Sequence, residues 1–242
     1  MNGPFAIFKW EALFKDFNIF LEGFLTTLEV SILGLILALM LGIIFGVLST
    51  SKIKIFKVIN RIYVEVIQNT PLVIQVFFLF NGLPYIKVVL PVFLIGILGV
   101  GVYHGAYISE VVRTGITSIP KGQFEAAKSQ GFSHTQTMRY IILPQTVKII
   151  IPPLANQLVN LIKNTSVLAM IAGGDLMYTA DSWSSANMYY GPAYVITGAL
   201  YFIMCYPLAM ISRKLELREK KKALVDIEDS ITEQSVATEG GL

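Results

Sequence analysis

Residues 24–48 read FLTTLEVSILGLILALMLGIIFGVL, with Glu29 as the sole charge. A helix that crosses the ~30 Å hydrocarbon core of a bilayer needs ~20 mostly apolar residues. This stretch therefore decides that the chain lives in a membrane. It is too long for the core of a signal peptide, and no small-residue cleavage site follows it, so it is expected to be retained. Runs at 86–108, 149–171 and 190–211 have the same character. A fifth, 59–80, is interrupted by Glu65, Gln68, Asn69 and Pro71. The composition agrees: 54% of the 242 residues are hydrophobic and 14% charged, against ~25% charged in soluble domains. The expected fold is all-α and integral to the membrane, with five transmembrane helices in one domain at 22–215.

Basic residues set the orientation, because Lys and Arg gather on the cytoplasmic side of span ends. Lys52, Lys54, Lys57 and Arg61 follow the first span. Arg113, Lys121, Lys128, Arg139 and Lys148 follow the third. Arg213, Lys214, Arg218, Lys220, Lys221 and Lys222 follow the fifth. The opposite side has Lys9, Lys15 and Lys87. The N-terminus is thus expected outside and the C-terminus in the cytoplasm. Topology accounts for these charges, which excludes nucleic acid as the expected partner.

Three other segments are legible. At 1–21, Ile7, Trp10, Phe14, Phe17 and Leu21 recur at helical spacing, as in a helix lying in the outer interface. The tail at 216–242 turns acidic from Asp226 and lacks aromatics, so it is expected to carry no fixed structure. The cytoplasmic loop at 112–145 holds KGQFEAAKSQGFSHTQTMRYIILPQ at 121–145. Glu125 to Gln130 are good helix formers, and Gly131 is a natural residue just past a helix end. Ser133 with Gln136 forms a capping box that opens a second helix. A helix, a glycine turn and a second helix follow from this pattern. Physics alone leaves two readings open: a hairpin packed on its own spans, or a docking element with Ala126 and Ala127 as its small face and Phe124 and Phe132 as anchors.

Polar groups at bilayer depth are costly and face a partner or a cavity. His104 reads as a packing residue or a ligand. Asn164, Thr165 and Ser166 read as helix-bonded groups or as a passage lining. Asp175 and Asp181 follow the fourth span in a loop without basic residues. Asn69, Thr70 and Pro71 read as a kink or as a true break in the second span. Arg61 with Glu65, and Glu110 with Arg113, read as ion pairs. Glu29 is expected to reach the outer interface, and His134 to decorate the cytoplasmic loop. Cys205 stands alone, so no disulfide or metal framework is expected. No phosphate loop of the GxxxxGK[ST] kind is present, and two His with one Cys leave little for an intramembrane enzyme. No catalytic residue and no metal site are expected. An ion-coupled secondary carrier is the alternative class, against which stands the lack of an internal repeat.

Four motifs resemble the permease subunits of bacterial ABC importers. They are Glu125-Ala126-Ala127 with Gly131 and Ile142-Leu143-Pro144; Gln68-Asn69-Thr70-Pro71-Leu72 with Gln75; Ala106-Tyr107-Ile108-Ser109-Glu110 with Arg113; and Asn164-Thr165-Ser166. The similarity is to the five-span histidine/glutamine/glutamate branch, which takes polar amino acids. The run from Arg139 to Asn164 looks most like its glutamate/aspartate members. Two departures stand out: Gln68 where the family usually has Arg, and Tyr103-His104 where it commonly has Asn-Ser or Asn-Thr.

The resemblance implies a type I ABC importer permease in a bacterial plasma membrane. Glu125, Ala126, Ala127, Gly131 and Phe132 would form the coupling helix that docks on the ATPase. His104, Asn164, Thr165, Ser166 and Asp175 would line the substrate passage. The implied partners are two ABC ATPase subunits, a second copy or a sister permease, and an external amino-acid-binding protein. The chain would bind no cofactor itself; ATP and Mg would sit on the ATPase subunits.

Overall fold

The computed structural model describes residues 3–239, with side chains as far as Glu219 and at Lys221. Every regular element among them is helical. Helix α1 (Ile7–Lys15) ends at Asp16, whose backbone leaves the helical region at φ −100°, ψ 14°. Asp16 accepts a hydrogen bond from Trp183 Nε1 at 2.8 Å, which holds the break. Residues 17–21, read with the interfacial segment, instead begin helix α2 (Phe17–Ser49), which contains the quoted stretch.

The buried residues of α2 are Phe20, Gly23, Thr27, Val30, Ser31, Gly34, Ala38, Gly42 and Gly46. Their spacing of three and four is a single helix face, and most of them are small. Lipid gives helices no hydrophobic reason to associate, so close backbone approach supplies the packing. This face lies on α5 (Val92–Thr117): Gly34 meets Val100, Gly42 meets Ile108 and Gly46 meets Val112. The opposite face, with Leu25, Ile36, Met40 and Ile43, is exposed, and Glu29 lies exposed near its outer end.

The second expected span is broken. Helix α3 (Lys54–Gln68) and the segment 72–86, which starts with α4 (Leu72–Phe77), meet at 98°. Pro71 pushes Thr70 out of helical geometry. Backbone carbonyls freed at such a break need donors, and side chains of the local motif supply them. Gln75 Nε2 donates to Ile67 O at 2.9 Å and Thr70 O at 3.0 Å. Asn69 Nδ2 donates to Glu65 O at 2.7 Å, and Thr70 Oγ1 to Val66 O at 2.8 Å. Gln68 Nε2 reaches across to Ala106 O on α5 at 3.2 Å. The alternative left open by the sequence thus resolves to a discontinuous helix.

The third span was expected at 86–108 and is observed at Val92–Thr117. Lys87 adopts left-handed geometry and Pro91 begins the helix, so the apolar residues before it lie in a connection. The loop read as a helix, a glycine turn and a second helix follows as α6 (Lys121–Ser129) and α7 (His134–Thr137). The fourth span, expected at 149–171, is two pieces: α8 (Leu143–Asn164), then a tighter 3₁₀ stretch from Thr165 to Ile171. The region after it, read as a loop, contains a twelve-residue helix, α9 (Leu176–Asn187). Helix α10 (Tyr190–Glu239) holds the fifth span. It continues through most of the tail expected to lack structure, and residues 240–242 lie outside the described ones. By length and apolarity α2, α5 and the part of α10 up to Glu219 each suffice to cross a bilayer, three helices against the five spans expected, and the bent pair 54–68 with 72–86 makes a fourth only when its two arms count as one span.

Candidate functional site

Helices α5 and α8 meet over a polar stripe inside the apolar bundle. His104 of α5 is buried, 2% exposed. Its Nδ1 donates to Gln157 Oε1 at 3.1 Å, and its Nε2 accepts from Asn164 Nδ2 at 3.0 Å. Both ring nitrogens are thereby used by protein groups. His104 acts as the brace that fixes two amide side chains of α8, so the two readings of this residue merge: it packs, and it shapes the chamber.

The chamber measures about 390 Å³ and is lined by Tyr103, His104, Tyr107, Gln157, Asn160, Lys163 and Asn164. The Tyr103 and Tyr107 hydroxyls stand 3.2 Å apart. Lys163 supplies the lining's only full cation, and no carboxylate is among the lining residues. A second cavity of about 370 Å³ lies toward the C-terminal end of α5. Gln68, Glu110, Thr114 and Ser118 give it a polar side, and Ile149, Ile150 and Pro153 an apolar one. Tyr107 and Gln157 line both cavities, so they stand at the boundary between them.

The structure brings together two of the five expected passage residues, His104 and Asn164. Thr165 is fully buried and turns its hydroxyl onto Ile162 O at 2.7 Å. Ser166 bonds Lys163 O at 2.8 Å. Neither lines the chamber. Asp175, with no exposure, caps α9 by accepting from Met177 N at 3.0 Å. It too is absent from the chamber lining, since the cap geometry turns it into the protein. Asp181 accepts from Tyr194 Oη at 3.1 Å. Sequence reasoning did not name Tyr107, Gln157, Asn160 and Lys163 as lining residues, and marked Tyr103 only as the neighbour of His104. The signal was present: Gln157, Asn160 and Asn164 recur at i, i+3 and i+7, a polar stripe on one helix face.

The loop between α5 and α8 has the expected helix–turn–helix architecture. Gly131 takes φ +82°, its N–H bonds Lys128 O at 3.0 Å, and the Phe132 N–H bonds Ala127 O at 3.1 Å. That pair of bonds is the Schellman ending, which needs a left-handed residue where only glycine is unstrained. The capping box is complete: Gln136 N donates to Ser133 Oγ at 3.3 Å, and Ser133 N to Gln136 Oε1 at 2.8 Å. Along α6, Glu125 and Ala126 are exposed, whereas Ala127 is buried and Phe124 and Phe132 are half-buried. Phe124 packs against the main core. Of the five residues expected to form a coupling helix, Glu125 and Ala126 present a surface, and Ala127, Gly131 and Phe132 fix its shape.

Both expected ion pairs are present. Arg61 Nε lies 2.7 Å from Glu65 Oε1, with both side chains well exposed. Arg113 Nε lies 2.9 Å from Glu110 Oε2. Exposed pairs of this kind contribute little to stability.

The chain is similar to known proteins in sequence and fold. Residues 20–220 match the family described as "Binding-protein-dependent transport system inner membrane component". The probable glutamine ABC transporter permease GlnM of Bacillus subtilis is 40% identical over 209 residues, covering 86% of this chain and 97% of that protein. The probable glutamine permease GlnP of the same organism is 35% identical, covering 82% of this chain and 92% of its own length. Among solved structures, "Crystal structure of an amino acid ABC transporter with histidines" superposes with a TM-score of 0.80 at 32% identity, over 86% of this chain and 98% of that one. The inward-facing MetNI methionine transporter shares the fold, at a TM-score of 0.60 and 17% identity. The chain belongs to the binding-protein-dependent inner-membrane component family. It is a type I ABC importer permease, a transport subunit without an ATPase site of its own.

Proposed function

We propose that this chain is the permease subunit of an ATP-driven amino-acid importer and that its substrate is glutamine. The chamber between α5 and α8 carries the reading. It offers one ammonium, Lys163, and otherwise neutral donors and acceptors from tyrosines and amides. One cation suits one α-carboxylate, and the amide and hydroxyl oxygens suit the α-ammonium and a side-chain amide. A glutamate or aspartate side chain would place a second carboxylate beside groups that carry no second full cation. That chemistry, with the glutamine permeases named among the relatives, ranks glutamine ahead of the glutamate/aspartate branch expected from residues 139–164.

In this reading an external binding protein delivers the amino acid, and a second permease copy or a sister permease completes the membrane unit. Two ATPase subunits hold ATP and Mg and dock on Glu125 and Ala126. Their closure moves α6, and with it the ends of α5 and α8. The N-terminus lies outside and the C-terminus in the cytoplasm. Tyr107 and Gln157 separate the chamber from the cytoplasmic cavity, so the substrate leaves past them.

The test is uptake of radiolabelled glutamine into proteoliposomes that contain the permease, its ATPase and its binding protein, with unlabelled amino acids as competitors. Uptake should require ATP and be competed by glutamine before glutamate or aspartate. Competition led by the acidic amino acids would overturn the substrate. Uptake driven by an ion gradient without ATP would overturn the importer. Asn164→Ala, which also releases His104 Nε2, is expected to lower uptake about tenfold or more with assembly unchanged, because a buried polar atom left unsatisfied costs ~1–3 kcal/mol. Normal kinetics in that variant would remove Asn164 from the passage.

A further inference from the structure

Helix α3 is joined to α5 by polar bonds. No residue of α3 belongs to either apolar core of the described residues, and its one buried residue is Asn60. Asn60 Oδ1 accepts from Ser109 Oγ at 2.7 Å. Tyr63 Oη donates to Val102 O at 2.7 Å, and Gln68 Nε2 to Ala106 O at 3.2 Å. The last two bonds fall on particular carbonyls. Val102 and Ala106 immediately precede Tyr103 and Tyr107, which line the chamber together with His104. A carbonyl oxygen has two lone pairs. Each therefore keeps its own helix bond from four residues on and takes the α3 donor as a second. The turn of α5 that carries three chamber residues is thus held through backbone atoms that do not line the chamber.

Gly105 completes the fit. A Cβ there would stand 2.6 Å from Tyr63 Oη, so glycine lets the hydroxyl reach the backbone. Tyr63 lines neither the chamber nor the second cavity. Its ring packs on Phe45 with centroids 4.6 Å apart, a contact that phenylalanine would keep. Packing therefore accounts for the ring and leaves the hydroxyl to be explained. We infer that Tyr63 is a positioning residue of the transport path. Its hydroxyl, with the Gln68 amide, fixes the 102–107 turn of α5 and so sets the Tyr103 and Tyr107 hydroxyls, 3.2 Å apart, in the chamber. The inference deepens the chamber reading above and rests on it for the effect on uptake.

The experiment uses the assembled importer labelled with 3-fluorotyrosine and read by fluorine NMR. Tyr103→Phe and Tyr107→Phe assign the two chamber signals, and Tyr190, in the first turn of α10, is the internal reference. Tyr63→Phe should shift or broaden both chamber signals and leave Tyr190 and the melting curve as in the wild type. A role in packing alone would lower the melting temperature and leave the chamber signals in place, and that result overturns the inference. This readout needs no substrate, so its failure is distinct from failure of the glutamine assignment. Uptake into proteoliposomes is then followed for whichever amino acid of a labelled panel the wild type carries. Its kcat should fall about threefold in Tyr63→Phe, the average effect of one side-chain bond between membrane helices, and about eightfold when Gln68→Leu is added. Because Gln68 also lines the second cavity, Tyr63→Phe alone decides: wild-type kcat in that variant overturns the inference.

Discussion

Gly46→Val is expected to leave almost no folded permease in the membrane. A Cβ at Gly46 would stand 2.6 Å from Val112 Cβ and 2.8 Å from Ser109 O. The second contact is backbone, so no rotamer change relieves it, and α2 and α5 must move apart. Overpacking a well-filled site costs ~1–3 kcal/mol even when neighbours can adjust. Here the same shift would also part Gly34 from Val100 and Gly42 from Ile108, because all three lie on one face. Loss of the whole interface follows, at the upper end of that range or beyond. Gly198→Val is the control, since a Cβ there meets nothing within 4 Å. Recovery of monodisperse protein after detergent extraction, with a melting curve, reads the difference. A Gly46→Val protein that extracts and melts like the wild type would refute the view that backbone proximity holds α2 on α5.

The sequence was informative where structure is local. Residues 24–48 are apolar enough to state their environment alone, and the helix found there merely extends further at each end. Ser133 and Gln136 fix their cap within one turn, and Gly131 fixes its turn through its own φ, so both appear as expected. Legibility fell where partners are distant. Whether Pro71 kinks or breaks its helix depends on donors for the freed carbonyls, and Gln75 is one turn too far for a capping rule to include it. His104 pairs with Gln157 and Asn164 across 53 and 60 residues, and no single-helix pattern contains that meeting. Asp175 shows the opposite fault. As a carboxylate beyond a span it read as substrate chemistry, whereas the plainer fact was an N-cap for a helix hidden in a presumed loop.

Glu125→Lys should abolish uptake while leaving the fold intact, and the reason both halves hold is the division of labour along α6. Glu125 and Ala126 are exposed, and a longer cation at 125 meets no packed neighbour. Ala127, one residue on, is 2% exposed, so Ala127→Lys would bury a charge and lose the loop itself. The two neighbouring substitutions therefore fail by different routes, which distinguishes docking from folding. Reversing a charge that is desolvated on docking costs ~2–5 kcal/mol, enough for a hundredfold loss of ATPase affinity or more. Co-purification of the ATPase with tagged permease reads the docking half, and the melting curve of the permease alone reads the other. Glu125→Lys should lose the ATPase and keep its melting curve; Ala127→Lys should lose both. If Glu125→Lys retained the ATPase and normal uptake, the exposed face of α6 would not be the docking surface, and the half-buried rim at Phe124 and Phe132 would have to carry the contact instead. The chamber makes the same separation from the other side. Asn164 lies on α8, far along the chain from Glu125, so Asn164→Ala should lose uptake with the ATPase still attached. Opposite outcomes in these two variants are what a transporter with one site for substrate and another for drive requires.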